Sequence, residues 1–283
     1  MIKNRVYKCF DIKLIMEEKL LQKVKANKKY KTISDEIVRK EIKDYLKSHL
    51  SSRKNKEITK QDIKEIRKNL HRVYSSYQTG KKRKKEQYLK ELNTEKLLSI
   101  TLSTKERLDC YKNIYQNIFQ ITGRPKVIVD LGCGLNPLSI PLMNLNNNLI
   151  YHAYDIDEED KDFLDKYFEK IKSEFNINGK AEILDITNLE KLKTLPSSDI
   201  IFLLKVLDLI DNKKTNKNEL IKTLLTKTKF LVVSFATATL GGKRMQLTTR
   251  TGFEEFLKRN NFEFKTIRIP NEIFYVITAD VRN

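Results

Sequence analysis

The run Val127-Ile128-Val129-Asp130-Leu131-Gly132-Cys133-Gly134-Leu135-Asn136-Pro137 constrains this chain more than any other stretch. Its apolar start, Val127 to Asp130, reads as a buried strand. Gly132 and Gly134 read as a tight turn, and Pro137 marks the start of a helix. A second apolar stretch, Tyr151 to Tyr154, ends in Asp155, which lies 21 residues past Gly134. That spacing is enough to cross one helix and return on a neighbouring strand. A strand, a glycine turn, a helix and an acid-tipped strand form the βαβ unit that holds a nucleoside. The glycines admit a ligand to the backbone with no Cβ in the way, and the carboxylate accepts from ribose hydroxyls.

The run is not the dinucleotide fingerprint, which has a third glycine and cradles a pyrophosphate at the helix N-terminus. Here Leu135-Asn136-Pro137 follows Gly134, and Asp130 ahead of the turn suits an ammonium better than phosphates. S-adenosyl-L-methionine has a ribose, an ammonium and no phosphate, and its spent form is S-adenosyl-L-homocysteine. This reading makes the chain a methyltransferase.

From Lys126 onward, short apolar strands alternate with amphipathic helices. The expected strands are Val127–Asp130, Tyr151–Asp155, Ala181–Asp185, Asp199–Leu204 and Phe230–Phe235. A helix near Gly252–Asn260 then precedes strands at Phe264–Ile269 and Ile273–Thr278. Such alternation implies an α/β fold, a Rossmann-like sheet with helices on both faces. Pro270-Asn271-Glu272 joins the closing pair as a hairpin, so the sheet is mostly parallel with its last strand antiparallel. In such a sheet the ligand lies beyond the C-terminal strand ends. Those ends supply Asp130 to Gly134, with Cys133 between the glycines and Asn136 and Pro137 just after, then Asp155-Ile156, Asp185-Ile186 and Leu203-Leu204-Lys205. By position Asp155 takes the ribose and Ile156 packs on the adenine. Asp185 either accepts from the adenine amine or caps a helix over Thr187–Leu195. Lys205 either lies near the methionine carboxylate or the substrate, or snorkels from the sheet edge.

The remaining charge sits elsewhere. The chain carries +19 in all, and residues 1–108 hold 31 Lys and Arg against 14 Asp and Glu, a net of +17, which leaves +2 for residues 109–283. A field that lopsided points to a polyanion, nucleic acid first and an anionic membrane second. The first hundred residues contain only Gly80 and no proline, which suits helices. Ile33, Ile37, Val38, Ile42, Tyr45, Leu46 and Leu50 recur at helical spacing behind a Ser34 cap, and Ile63, Ile66, Leu70, Val73, Tyr74 and Tyr77 do the same. Further helix is expected over Gln87–Ser99, with Ser103 or Thr104 capping the next. The division expected is a basic helical domain over residues 1–108 and a cofactor-binding domain over residues 109–283. Candidate RNA contacts are Lys28, Lys29, Lys31, Arg67, Lys68, Arg72, the run Lys81-Lys82-Arg83-Lys84-Lys85, Lys243 and Arg244. For the five-residue run, a solvated loop is the alternative. No apolar stretch is long enough to span a membrane, and the N-terminus lacks a secretory apolar core. Cys9, Cys110 and Cys133 are too scattered for a disulfide framework or a zinc site, so a metal-free, cytoplasmic, monomeric protein is expected.

Several stretches together resemble one family, the aminoglycoside-resistance methyltransferases of small-subunit rRNA that modify guanine N7 beside the decoding site. They are KKYK at Lys28–Lys31, the spaced Arg67, Leu70-His71, Val73-Tyr74 and Tyr77, STKERL at Ser103–Leu108, DLGCGLNPL at Asp130–Leu138, YDID at Tyr154–Asp157, LLK at Leu203–Lys205 and SFATATLGGK at Ser234–Lys243. The resemblance implies that Arg107 reaches the cofactor carboxylate and that basic N-terminal helices dock on the small ribosomal subunit. The chain departs from the family pattern at Thr101, at Ala236 and over Val206–Leu209, all near the expected target-base side. The function this implies is methylation of 16S rRNA in the assembled 30S subunit. The alternatives are another rRNA or tRNA base such as adenine N1, a small-molecule methyltransferase, and a non-catalytic ribosome-binding relic.

Overall fold

The computed structural model describes residues 16–49, 58–74, 84–145, 148–210, 215–238 and 249–279. The chain divides by contacts into two units, residues 1–76 with 156–158, and residues 77–155 with 159–283.

The first unit is helical. Against Ile33, which lies just ahead of α2, helix α1 (16–25), α2 (Asp35–His49) and α3 (Lys60–Tyr74) bury Leu20, Leu21, Val24, Val38, Ile42, Tyr45, Ile66 and Leu70. These residues fall on single faces because apolar positions recur every three or four residues. Asp35 and Glu36 open α2 while Lys47 and His49 close it, matching the helix dipole. Thr59 and Asp62 form a reciprocal cap on α3. The Asp62 carboxylate accepts from the Thr59 amide at 2.7 Å, and the Thr59 hydroxyl accepts from the Asp62 amide at 3.2 Å. The other Asp62 oxygen takes the buried Tyr45 hydroxyl at 2.7 Å and ties α2 to α3. Arg67 donates to the carbonyls of Lys23 and Val24, satisfying the C-terminus of α1.

The second unit is built on a seven-stranded sheet, and the fold class read from the sequence is the one found. The strands are β1 (Val127–Leu131), β2 (Leu149–Asp155), β3 (Ile177–Ile183), β4 (Ser198–Leu204), β5 (Thr228–Ala236), β6 (Phe264–Ile269) and β7 (Glu272–Thr278), in the order β3-β2-β1-β4-β5-β7-β6. β1 to β5 are parallel, and β7 is antiparallel to both its neighbours. Successive residues alternate between faces. Ile128, Ile200, Phe202, Val232, Phe274 and Val276 pack toward one core with α7 (Tyr111–Thr122) and α8 (Glu158–Phe175). Val129, Leu131, Ile201, Leu203, Val233 and Tyr275 enter the other, with α10 (Lys217–Leu225) and α11 (Thr251–Arg259). Burial on both faces explains the unbroken apolar runs.

Several boundaries differ from the sequence reading. β3 starts four residues earlier than expected, at Ile177, because it pairs with β2 from Leu149 onward. Its Gly179 lies against Phe168, whose ring a Cβ would meet at 2.0 Å, so the glycine is there for packing. The segment after the glycine turn is a 3₁₀ helix, Asn136–Met143, with Pro141 inside it. The expected helix Gln87–Ser99 is two, α4 (Lys85–Lys90) and α5 (Thr94–Leu98), parted by Leu92 at φ 46° and recapped by Asn93. The following helix, α6 (Leu102–Glu106), starts behind Thr101, and the Thr104 hydroxyl bonds the Leu98 carbonyl instead of capping. The helix expected over Thr187–Leu195 is the shorter α9 (Leu189–Lys193), capped by Asn188. The contact division falls near residue 76 rather than 108, since Leu89, Leu97, Leu98 and Ile100 are buried in the sheet's core.

Candidate functional site

The strand order reverses between β1 and β4, so the C-terminal ends of β1, β2 and β4 border one crevice. Gly132 and Gly134 sit there at φ 61° and 49°, the left-handed region that favours glycine. A Cβ on Gly132 would meet Val206 at 2.8 Å, whereas one on Gly134 would meet nothing within 4 Å. Gly132 therefore allows close packing below the turn, and Gly134 leaves open space above it. The Gly134 amide donates to the Asp155 carboxylate at 2.7 Å, and the Cys133 amide to the Tyr154 carbonyl at 3.0 Å. These bonds hold the turn against β2 and aim the acid.

Asp130 is fully buried. Its Oδ2 accepts from Asn136 Nδ2 at 2.9 Å and from the Tyr151 hydroxyl at 2.7 Å. Its Oδ1 is buried with no partner among the described residues. Burial pushes the carboxyl up to about 6, against the pull of Asn136, Tyr151 and the Arg107 charge. A buried acceptor with a lone pair to spare is costly unless a donor or cation completes it.

A third group gathers around Glu272, the first residue of β7, which burial alone would push up. Arg107 donates to it side-on through Nε at 2.8 Å and Nη2 at 2.7 Å. The Ser234 hydroxyl donates to the same carboxylate, and Lys205 Nζ lies 3.4 Å from it. With Arg107 foremost, these partners hold Glu272 below the usual carboxylate range. Burial disfavours the Arg107 charge, yet Glu272 outweighs it and raises the guanidinium's affinity for its proton. Lys205 also pairs with Glu106 at 2.7 Å, and its backbone stands at φ 58°, held by its amide's bonds to the Ser234 carbonyl and hydroxyl. A non-glycine residue persists in that conformation only where its surroundings dictate it.

The two charged centres are linked. The Tyr111 hydroxyl bonds Asn136 Oδ1 at 3.1 Å, Asn136 bonds Asp130, and Tyr111 also contacts Arg107. An acceptor that fits an ammonium and a guanidinium that fits a carboxylate thus stand in one network, beside a glycine turn and an acid placed for a ribose. S-adenosyl-L-methionine carries all three groups, and the donor set fits it.

Residues 26–276 match the family model "Ribosomal RNA methyltransferase (FmrO)". The chain belongs to the FmrO family of ribosomal RNA methyltransferases. Its curated relatives include a 16S rRNA (guanine(1405)-N(7))-methyltransferase of Frankia casuarinae, 30% identical over 64% of this chain and 62% of the relative. Another of the same name, from Micromonospora rosea, is 25% identical over 92% of this chain and 96% of the relative. The fold is also that of the 16S rRNA methyltransferase RmtF, solved in complex with S-adenosyl-L-homocysteine, at a TM-score of 0.72 and 21% identity, covering 93% of this chain and 98% of that one.

Among the other candidate residues of this family member, Leu203 is buried within the sheet's core, as is Cys133, and Pro137 is buried. Leu204 and Ile186 are half-buried against the two cores. Ile156 groups with the helical unit, where its carbonyl accepts from the Ser34 amide. Asp185 folds back on Thr187, accepting from its amide at 2.9 Å, while Asn188 caps the helix. Lys28, Lys29, Lys31, Lys68 and Lys84 are exposed, whereas Arg67 closes α1. Lys85 requires a correction. It is buried against Asp160 and Glu159 with its ammonium over the Phe163 ring, so it does not face a polyanion. Lys81, Lys82, Arg83, Lys243, Arg244 and the Arg72 side chain lie outside the described residues. Glu272, Glu106, Tyr111 and Tyr151 escaped the sequence reading. For Glu272 the available signal was an acid directly ahead of the unbroken apolar run Ile273–Ile277.

Proposed function

We propose that this chain transfers a methyl group from S-adenosyl-L-methionine to N7 of a guanine in 16S rRNA, the guanine 1405 that its relatives are named for. The observation that carries the reading is the network from Asp130 through Asn136 and Tyr111 to Arg107, beside the Gly132–Gly134 turn. Asp155 and the open face of Gly134 receive the ribose, Asp130 Oδ1 receives the ammonium, and Arg107 receives the carboxylate. Asp185 and Ile186 border the adenine side.

When bound, the cofactor supplies an electrophilic methyl on a sulfonium, whose sulfur keeps the C–S electron pair and leaves as S-adenosyl-L-homocysteine. Guanine N7 has an exposed lone pair and no proton to lose. The protein therefore needs no general base, and its residues act by holding the donor in place and keeping N7 on the methyl–sulfur axis. A base inside a helix is out of reach, so the target is taken from the stack or captured where it is already splayed.

The substrate is the assembled 30S subunit, reached by a monomer in the cytoplasm. Exposed Lys28, Lys29, Lys31 and Lys68 give the helical unit phosphate contacts that register a protein on a large RNA without reading its bases. Among the described residues no helix is long and apolar enough to cross a membrane. Methylation beside the decoding site would confer aminoglycoside resistance. The test is methylation of purified 30S subunits and of naked 16S rRNA, followed by borohydride–aniline cleavage and primer extension. Strand scission at one guanine of the 30S substrate is expected. A primer-extension stop without scission would point to adenine N1, and failure to bind S-adenosyl-L-homocysteine to a non-catalytic relic.

A further inference from the structure

Glu272 lies at the start of β7, and only an antiparallel strand can bring its first residue to the edge where the parallel strands end. Its register partner is Ala236, the last residue of β5. There it is 1% exposed and holds one whole edge of the Arg107 guanidinium, through Nε and Nη2. A guanidinium is a planar fork with five N–H donors. Fixing the Nε edge fixes the plane and direction of the opposite edge, which belongs to Nη1 and the second Nη2 hydrogen. Tyr111 contacts the same guanidinium and carries the link on to Asn136 and Asp130. The same carboxylate lies 3.4 Å from Lys205 Nζ and accepts from Ser234, whose carbonyl and hydroxyl hold the Lys205 amide. One acid therefore organises two cations that are far apart in the chain.

We propose that Glu272 is a positioning residue of the cofactor site, orienting Arg107 and Lys205 so that the free edge of Arg107 meets the carboxylate of the methionine moiety. The proposal rests on the cofactor reading above. Glu272 does not touch the ligand and acts through Arg107. Removing its charge leaves the adenosine half of the site intact and loosens only the aminocarboxylate half.

Titration calorimetry on the full chain tests this with two probes. S-adenosyl-L-homocysteine carries the aminocarboxylate, and 5′-methylthioadenosine keeps the adenosine and thioether without it. Glu272→Gln is expected to weaken S-adenosyl-L-homocysteine binding tenfold or more and to change methylthioadenosine binding less than twofold. In an Arg107→Ala background the same substitution should add nothing to either. Equal weakening of both ligands, unchanged binding of S-adenosyl-L-homocysteine, or additivity with Arg107→Ala would overturn the proposal. If Glu272→Gln does not fold, Glu272→Asp and Ser234→Ala take its place. Each keeps the charge while disturbing its aim, and each should weaken only the aminocarboxylate ligand, by severalfold; equal loss on both probes again overturns the proposal. Wild-type chain that binds both probes but leaves 30S subunits unmethylated would refute the rRNA reading and leave this inference standing. Wild-type chain that binds neither would refute both.

Discussion

The two ends of the crevice are built on opposite plans. At the glycine-turn end a half-buried acid, Asp155, accepts from a backbone amide 21 residues earlier, and both belong to one βαβ unit. At the other end Arg107 meets Glu272 across 165 residues, and both are almost completely buried. A loop and the next strand suffice for the first, because a partly solvated acid needs no counter-charge. The second keeps charges in the interior, which is tolerated only where every charge is paired and hydrogen-bonded. It therefore requires the whole sheet, including its antiparallel strand. One end is set by local chain geometry, the other by an electrostatic arrangement that exists only in the finished fold.

The largest test of that contrast is Arg107→Ala. Leaving Glu272 buried without its main partner should cost about 3–5 kcal/mol of stability. Urea unfolding should show a lower midpoint at unchanged slope. Asp155→Ala should cost less, about 1–2 kcal/mol in the same assay, since it removes a half-buried acceptor of the Gly134 amide, and equal losses would erase the distinction.

Acid should next separate Asp130 from Glu272. The Asp130 carboxyl holds its proton up to about 6 in the folded chain against 3.8 ordinarily, so between those values the folded state binds more protons than the unfolded one. Stability contributed by this group therefore falls as pH rises through that window, by up to about 3 kcal/mol, and Asp130→Asn should flatten the slope. Glu272 has the opposite sign. Its contribution is present above its ordinary value of 4.5 and is lost as pH falls below it. S-adenosyl-L-homocysteine affinity should also weaken below pH 6, as the proton competes with the ligand ammonium for Asp130. Affinity that is flat from pH 5 to 8 would remove Asp130 from the site.

Asp155→Ala should then weaken S-adenosyl-L-homocysteine binding by about 2 kcal/mol, the scale of a hydrogen bond to a charged group. It should also weaken methylthioadenosine to the same degree, unlike substitutions at Glu272. Gly134→Ala should cost about 1–2 kcal/mol of stability, for a left-handed residue with open space around it. Gly132→Ala should cost more, because Val206 stands in the way.

What could be read in the sequence divides along the same line. The strand, the glycine turn and Asp155 lie in one stretch, where apolar periodicity and turn chemistry show directly. The antiparallel closing hairpin was legible for the same reason. Glu272 looked like a hairpin residue, since nothing near it announces Arg107. Lys85 closes a run of five cations and reads as solvent-facing, yet Asp160, 75 residues away, draws it inside. β3 was misplaced because it lies at the sheet's edge and carries Gly179, which only its contact with Phe168 explains. Residues 84–108 hold only 6 Lys and Arg against 4 Asp and Glu, which a single total for residues 1–108 conceals, and they join the sheet through Leu97, Leu98 and Ile100.

The position of Glu272 also sets a timetable. Chains emerge from the ribosome N-terminus first and fold by domains as they appear. Arg107 is made early, while the acid that completes its seat arrives 165 residues later. Until β7 is paired with β5, the Arg107 guanidinium lacks the carboxylate that holds its Nε edge. The Arg107 guanidinium thus waits for the closing hairpin, so its fixed orientation reports that the antiparallel edge of the sheet is in place.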